Sequence, residues 1–130
     1  MDIKEFAEKF IEAEDKAFQQ GDYEALEQIE SPNIVIHYPP LPDFNGFEAH
    51  KQYIMAAREG TKDLQQEWQY VVGDGNIAVL SLKQQMTTTV DNPQFQIPAG
   101  STVNADGLFV LKRENDKIAE IWLHSNLAVE

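Results

Sequence analysis

A chain of 130 residues has room for one hydrophobic core and not two, and 42% hydrophobic with 25% charged residues is the make-up of a folded globular domain rather than a disordered one. Twenty-two acids against ten Lys and Arg give a net charge of −12, which denies a nucleic acid the basic footprint that phosphate binding needs. Cysteine is absent, so disulfides, thiolate catalysis and thiolate metal sites are excluded.

In chain order, Met1-Asp-Ile-Lys-Glu-Phe6 lacks the basic start and apolar run of a signal peptide, and no stretch approaches the roughly 20 apolar residues of a membrane span. A cytoplasmic location with no membrane partner is the expectation. From Ile3 to Gln20, Phe6, Phe10, Ala13, Ala17 and Phe18 recur at helical spacing, and Gly21 stops the run. Glu14 lies four residues from both Phe10 and Phe18 and so shares their stripe, either at its edge reaching water or desolvated among the rings. Asp22 reads as the N-cap of a short helix, Tyr23 to Ile29, which Ser31-Pro32 ends. A strand from Asn33 to Tyr38 is closed by Pro39, Pro40 and Pro42. Ala49, Tyr53, Ile54 and Ala57 then mark a third helix, with His50 at the rim of its apolar face and Gly60 at its end.

From Leu64 the period changes to two. Leu64, Gln66, Trp68, Tyr70 and Val72 alternate with Gln65, Glu67, Gln69 and Val71, and Gly73-Asp-Gly-Asn76 is a hairpin turn. Ile77 to Val90 reads as a central strand, Phe95 to Gly100 as a loop, and Ser101 to Val129 as a closing hairpin. Helices followed by an antiparallel meander predict a single α+β domain over residues 1–130, with the helices packed on one face of the sheet.

The closing hairpin holds the sharpest chemical hint. Trp122, His124 and Asn126 share one face of the last strand, and Ile121, Leu123, Ser125 and Leu127 share the other. On its partner, Asn104, Asp106, Leu108 and Val110 alternate with Val103, Ala105, Gly107, Phe109 and Leu111. If the turn is Glu114-Asn115-Asp116, Arg113 opposes Lys117 and Asp106 lies across from His124; a neighbouring register instead pairs Asp106 with Asn126 and Leu108 with His124.

Several stretches carry a family resemblance over nearly the whole chain. Gln20-Gly21-Asp22-Tyr-Glu-Ala-Leu26, the strand Asn33 to Pro39, Gly46-Phe-Glu-Ala49, Asp116-Lys-Ile-Ala-Glu-Ile-Trp122 and Trp122-x-x-x-Asn126-Leu-x-Val129 occur in an order that resembles the nuclear transport factor 2-like superfamily. Within it, the chain is similar to SnoaL-like and ketosteroid-isomerase-like proteins. That resemblance implies a cystatin-like cone, in which a curved, mostly antiparallel sheet wraps the N-terminal helices and encloses an apolar pocket, and a homodimer formed through the outer sheet face. The positions of the isomerases' tyrosine, proton-moving aspartate and second acid correspond to Glu14, Tyr38 and Leu108, so steroid isomerisation by that mechanism does not carry over. Asp106 shares a strand face with Leu108, and Trp122 corresponds to a pocket tryptophan, which turns His124 and Asn126 inward as well. Many SnoaL-like chains have aspartate where Asn126 stands, and asparagine takes no proton near neutral pH.

Two function classes stay open on these grounds. One is a cofactor-free isomerase, lyase, cyclase or hydrolase of a small, mostly apolar, carbonyl-bearing molecule. Its catalytic groups would be Asp106, His124 and Glu14, with Tyr38, Tyr53, Trp68, Trp122, Asn104, Asn126 and Leu108 lining the pocket. The other is a binding or assembly module in which Asp106 and His124 are a structural cross-strand pair. The three histidines, His37, His50 and His124, show no metal-ligand spacing, and His37 should point away from the pocket, opposite to Tyr38.

Overall fold

The computed structural model describes residues 1–130. Helix α1 runs Ile3–Asp15, with the Asp2 carboxylate accepting from the Glu5 backbone N–H at 2.8 Å, and buries Phe6, Ala7, Phe10, Ala13 and Glu14 along one stripe. A π-helical turn, Lys16–Gln20, follows and Gly21 ends it at φ +68. The positive φ favours glycine there, and a Cβ would also press on the Arg58 guanidinium, the movable end of its side chain. That guanidinium donates from Nε to the Phe18 carbonyl at 3.0 Å and so ties the end of the first helix to the third. Helix α2 is Glu24–Ile29, and α3 is Phe47–Glu59.

Six strands form one sheet: β1 (Glu30–His37), β2 (Phe44–Asn45), β3 (Thr61–Asp74), β4 (Ile77–Thr88), β5 (Thr102–Glu114) and β6 (Lys117–Val129). Their order is β2-β1-β6-β5-β4-β3, antiparallel throughout except for the parallel β1–β6 pair, and the two edges do not meet. The helices fill its concave side, where Phe6, Phe10, Ala13, Leu26 and Ile54 meet Ile34, Leu80, Phe109, Leu111, Ile118 and Ile121 in one core. No helix is long and apolar enough to cross a membrane. The α+β cone read from the sequence is the fold observed. β1 begins three residues earlier than the pattern predicts, at Glu30, because the segment irregularly bridges Ser31-Pro32 before its regular pairing resumes at Val35.

The closing hairpin departs from the expected register. Its turn is Asn115-Asp116, both residues left-handed at φ 51 and 60, and a one-residue irregularity beyond it, opposite Lys112 and Arg113, resets the ladder. Asp106 therefore pairs with Asn126 and Leu108 with His124. The expected Asp106–His124 pair does not form. The facing is also reversed from what the resemblance implied: Val103, Ala105, Phe109, Leu111 and Ile121 are buried on the concave side, whereas Asp106, Leu108, Trp122, His124 and Asn126 are exposed on the convex one. A period-two ladder places only one of its two faces against the helices, and the more apolar face takes that position.

This facing has a measurable consequence. Ile121→Ala is expected to cost about 2–5 kcal/mol in urea unfolding and His124→Ala less than about 0.5 kcal/mol; equal losses at the two positions would contradict it.

Candidate functional site

Four polar or charged residues are buried, and three of them, Glu14, Glu30 and His50, form one cluster. The cluster is assembled from three elements. Glu14 comes from the last turn of α1, Glu30 from the junction of α2 with β1, and His50 from the first turns of α3. The Glu30 carboxylate straddles His50 Nδ1 at 3.0 and 2.9 Å, and Glu14 Oε1 stands 3.6 Å from Nε2. The second contact is too long for a hydrogen bond, and Glu14 Oε1 is buried without a partner. Phe44 stacks on the imidazole with ring centres 6.5 Å apart. The sequence reading that left Glu14 at a wet edge, and the one that placed His50 on the rim, are both corrected: the two residues are 1% and 7% exposed.

Burial decides the electrostatics. Desolvation raises the Glu14 carboxyl to about 7, with the nearby Glu30 and Asp15 adding to the rise and His50 working against it. Desolvation opposes the charged form of His50, but the Glu30 charge and hydrogen bond, together with Glu14, prevail and raise its pKa.

A chain of hydroxyls lies beside the cluster. Tyr53 packs against Phe44 with ring centres 5.0 Å apart, and edge-on against Tyr38 at 6.1 Å. The Tyr53 and Ser125 hydroxyls neighbour that of Tyr38 and temper the rise in its pKa. Burial raises both phenols, and in Tyr53 the neighbouring Tyr38 and Glu14 add to it, so both keep their protons across the neutral range. Phe95, from the loop between β4 and β5, covers Tyr38 at 5.8 Å. On the opposite wall, Asp15 accepts from Gln66 Nε2 at 2.6 Å and from Trp68 Nε1 at 3.1 Å, and Gln66 Oε1 accepts from Gln84 at 2.9 Å. Between these walls Gly107, Leu123, Ser125 and Leu127 face the concave side yet remain partly exposed, unlike the sealed Ile118 and Ile121 below them. This partly exposed strip of the concave face is the candidate ligand surface, here termed the hollow; two other surface recesses lie away from it, one around Arg113 and Asp116 and one around Asn33 and Phe47.

Of the residues singled out from sequence, Glu14, Tyr38, Tyr53 and Trp68 lie on the inner side. Asn104, Asp106, Leu108, Trp122, His124 and Asn126 lie outside. Asn104 is engaged there with Gln85 and Glu130, and Trp122 stacks on His37 with ring centres 5.7 Å apart. His37 points away from the hollow, as expected, held between Asp43 at 3.0 Å and Glu120 at 2.6 Å, and the Glu120 hydrogen bond is the main reason its pKa is raised. Sequence reasoning missed Glu30 and Ser125. Glu30 follows the buried Leu26 by one helical turn, and Ser125 is the one hydroxyl on the apolar face of β6.

Because the Glu14 carboxyl rises from 4.5 to about 7 on folding, the folded chain holds a proton that the unfolded chain releases. That contribution is fully present below pH 4.5 and fades as pH climbs to about 7, a loss on the order of 3 kcal/mol; the raised His50 acts in the same direction. Unfolding free energy should fall between about pH 5 and pH 8, and Glu14→Gln should flatten most of that fall. Urea titrations across the interval check it, and an unchanged slope in the variant would contradict it.

Residues 7–121 match the SnoaL-like domain family. No curated protein matches the sequence. Among solved structures, TsrD of Streptomyces laurentii superposes with a TM-score of 0.79 at 19% identity, covering 98% of this chain and 90% of that one. SalBIII, an epoxide hydrolase/cyclase-like enzyme of pyran ring formation in the polyether salinomycin, gives 0.75 at 18% identity, covering 99% and 98%. IdmH, a polyketide-cyclase candidate from Streptomyces antibioticus, gives 0.73 at 20% identity, covering 93% and 91%. At these identities the superpositions speak for the fold alone. The family match spans most of the chain, and the protein belongs to the SnoaL-like domain family.

Proposed function

We propose that the hollow binds a small, mostly apolar, carbonyl-bearing molecule and that the chain moves a proton on it, in isomerase- or cyclase-type chemistry carried by its own side chains. The observation that supports this most is the gathering of the Tyr38, Tyr53 and Ser125 hydroxyls on the inner face, with burial keeping the Tyr38 proton in place. A phenol that keeps its proton can donate it to a ligand oxygen and stabilise charge developing there. Behind Tyr53 stands Glu14, poised near neutrality, which with His50 can replace or withdraw the proton without charging a phenol. Trp68 and Phe109 supply an apolar wall.

Exchange of the α-protons of 2-tetralone in D2O, followed by NMR, tests the reading without requiring the natural substrate. Tyr38→Phe and Glu14→Gln are each expected to slow protein-dependent exchange about 10²-fold or more. Gly107 is a second handle, because a Cβ there meets Phe109, Leu123 and Leu82 only at 3.6–3.8 Å. Gly107→Leu should fill the hollow and abolish ligand binding while the fold persists. Ligands that bind without any exchange would instead assign the protein to the non-catalytic binding class.

The convex face supports a second copy of the chain as partner. Val72, Val79, Val110 and Trp122 form a row across the sheet, with the exposed Leu108 beside it. Next to them Glu67, Lys83 and Asp106 stand on adjacent strands, so a two-fold copy can set Lys83 against an acid of its mate. Size-exclusion chromatography should give a dimer, and Leu108→Glu a monomer; a monomeric wild type would refute it.

A further inference from the structure

We propose that Glu14, Glu30 and His50 form a binding site for one first-row divalent cation, with Zn2+ the best fit. Their ligand atoms lie within 4.8 Å of one another, and all three residues are buried. The cluster is short of donors. An imidazole offers at most two N–H groups and a protonated Glu14 one O–H, whereas the two carboxylates bring four oxygens. Glu30 Oε1 and Oε2 share the single Nδ1 position, and Glu14 Oε1 and Glu30 Oε2 are left buried with no hydrogen-bond partner. No Lys or Arg pairs with either carboxylate. Buried carboxyl oxygens without partners are costly, and a cation among them supplies what the side chains lack.

The donor set also narrows the ion. Two carboxylates and one imidazole, with no sulfur, suit Zn2+ or Mn2+ rather than a soft monovalent metal. Zinc to oxygen and nitrogen distances are about 2.0–2.2 Å; because Glu30 faces Nδ1 and Glu14 faces Nε2, the His50 ring must turn so that one nitrogen and both carboxylates meet the ion. The three residues come from different elements, so the fold pre-positions them. The fourth position would fall to water or to a ligand oxygen. The inference goes beyond the proton-transfer reading: the cation-free chain keeps the Glu14 proton, and a bound cation displaces it, so occupancy of the site would govern the proton transfer.

Isothermal titration of the chelator-stripped protein with ZnCl2 tests this. The expected result is one site per chain with a micromolar or tighter Kd, weakened at least about tenfold by His50→Gln and by Glu30→Gln. His37→Gln, which removes the exposed imidazole between Asp43 and Glu120, should leave that site unchanged. Absence of a stoichiometric site, or a site lost in His37→Gln and retained in His50→Gln, would overturn the proposal. Should the buried variants fail to fold, Co2+ added to wild type gives a separate reading by NMR. Strongly shifted ring protons of His50 support the site, and shifts confined to His37 or His124 refute it.

Discussion

The burial of two carboxylates against one imidazole is the constraint on which the rest of the structure depends. Glu14, Glu30 and His50 are held away from water by the same packing that makes the core, so the three elements carrying them cannot separate without stranding charge in an apolar interior. Residues nearby serve this arrangement. Phe44 lies over the imidazole, and Phe10 flanks Glu14 along the helix stripe. Arg58, bonded to the Phe18 carbonyl, fixes the end of the helix that bears Glu14 against the helix that bears His50. A polar group in a core is tolerated when its partners are positioned in advance, and here the positioning comes from helix ends and a strand start rather than from a loop.

The sheet divides its work between two faces. Its concave side is sealed where Ile118, Ile121 and Leu111 meet the helices, and opens where Gly107, Ser125 and Leu127 continue the same strands. Its convex side carries the apolar row and the His37–Trp122 stack. Because neighbouring residues of one strand serve opposite faces, the inward Ser125 and the outward Trp122 are linked through a few peptide units of β6. A slip of one residue in that strand would exchange them.

The fold was legible in the sequence because its signals are local. The phenylalanine stripe of the first helix, the alternation from Leu64 onward, and the Gly-Asp-Gly-Asn turn each declare their element without reference to the others. The family resemblance then ordered those elements. The site was legible only in part. Glu14 stood out because phenylalanines flank it one turn on either side, and Trp68 because its strand alternates cleanly. Asp106 and His124 were drawn into a pair by parity alone, and parity does not say which face meets the helices. The register was reset by a one-residue irregularity near Lys112, a feature that leaves no pattern in composition. Glu30 escaped notice because it sits where helical spacing ends and strand spacing has not begun.

The two tryptophans fall one to each face of the sheet. Trp68 looks into the hollow, its indole N–H bound to Asp15, and Trp122 lies outside against the His37 ring. The chain thus contains two native fluorophores in separate surroundings, one reporting on the interior and the other on the convex face and on the charge of a neighbouring imidazole. Emission from a Trp→Phe pair, one replacement at a time, separates events inside the cone from events on its back, with no label attached.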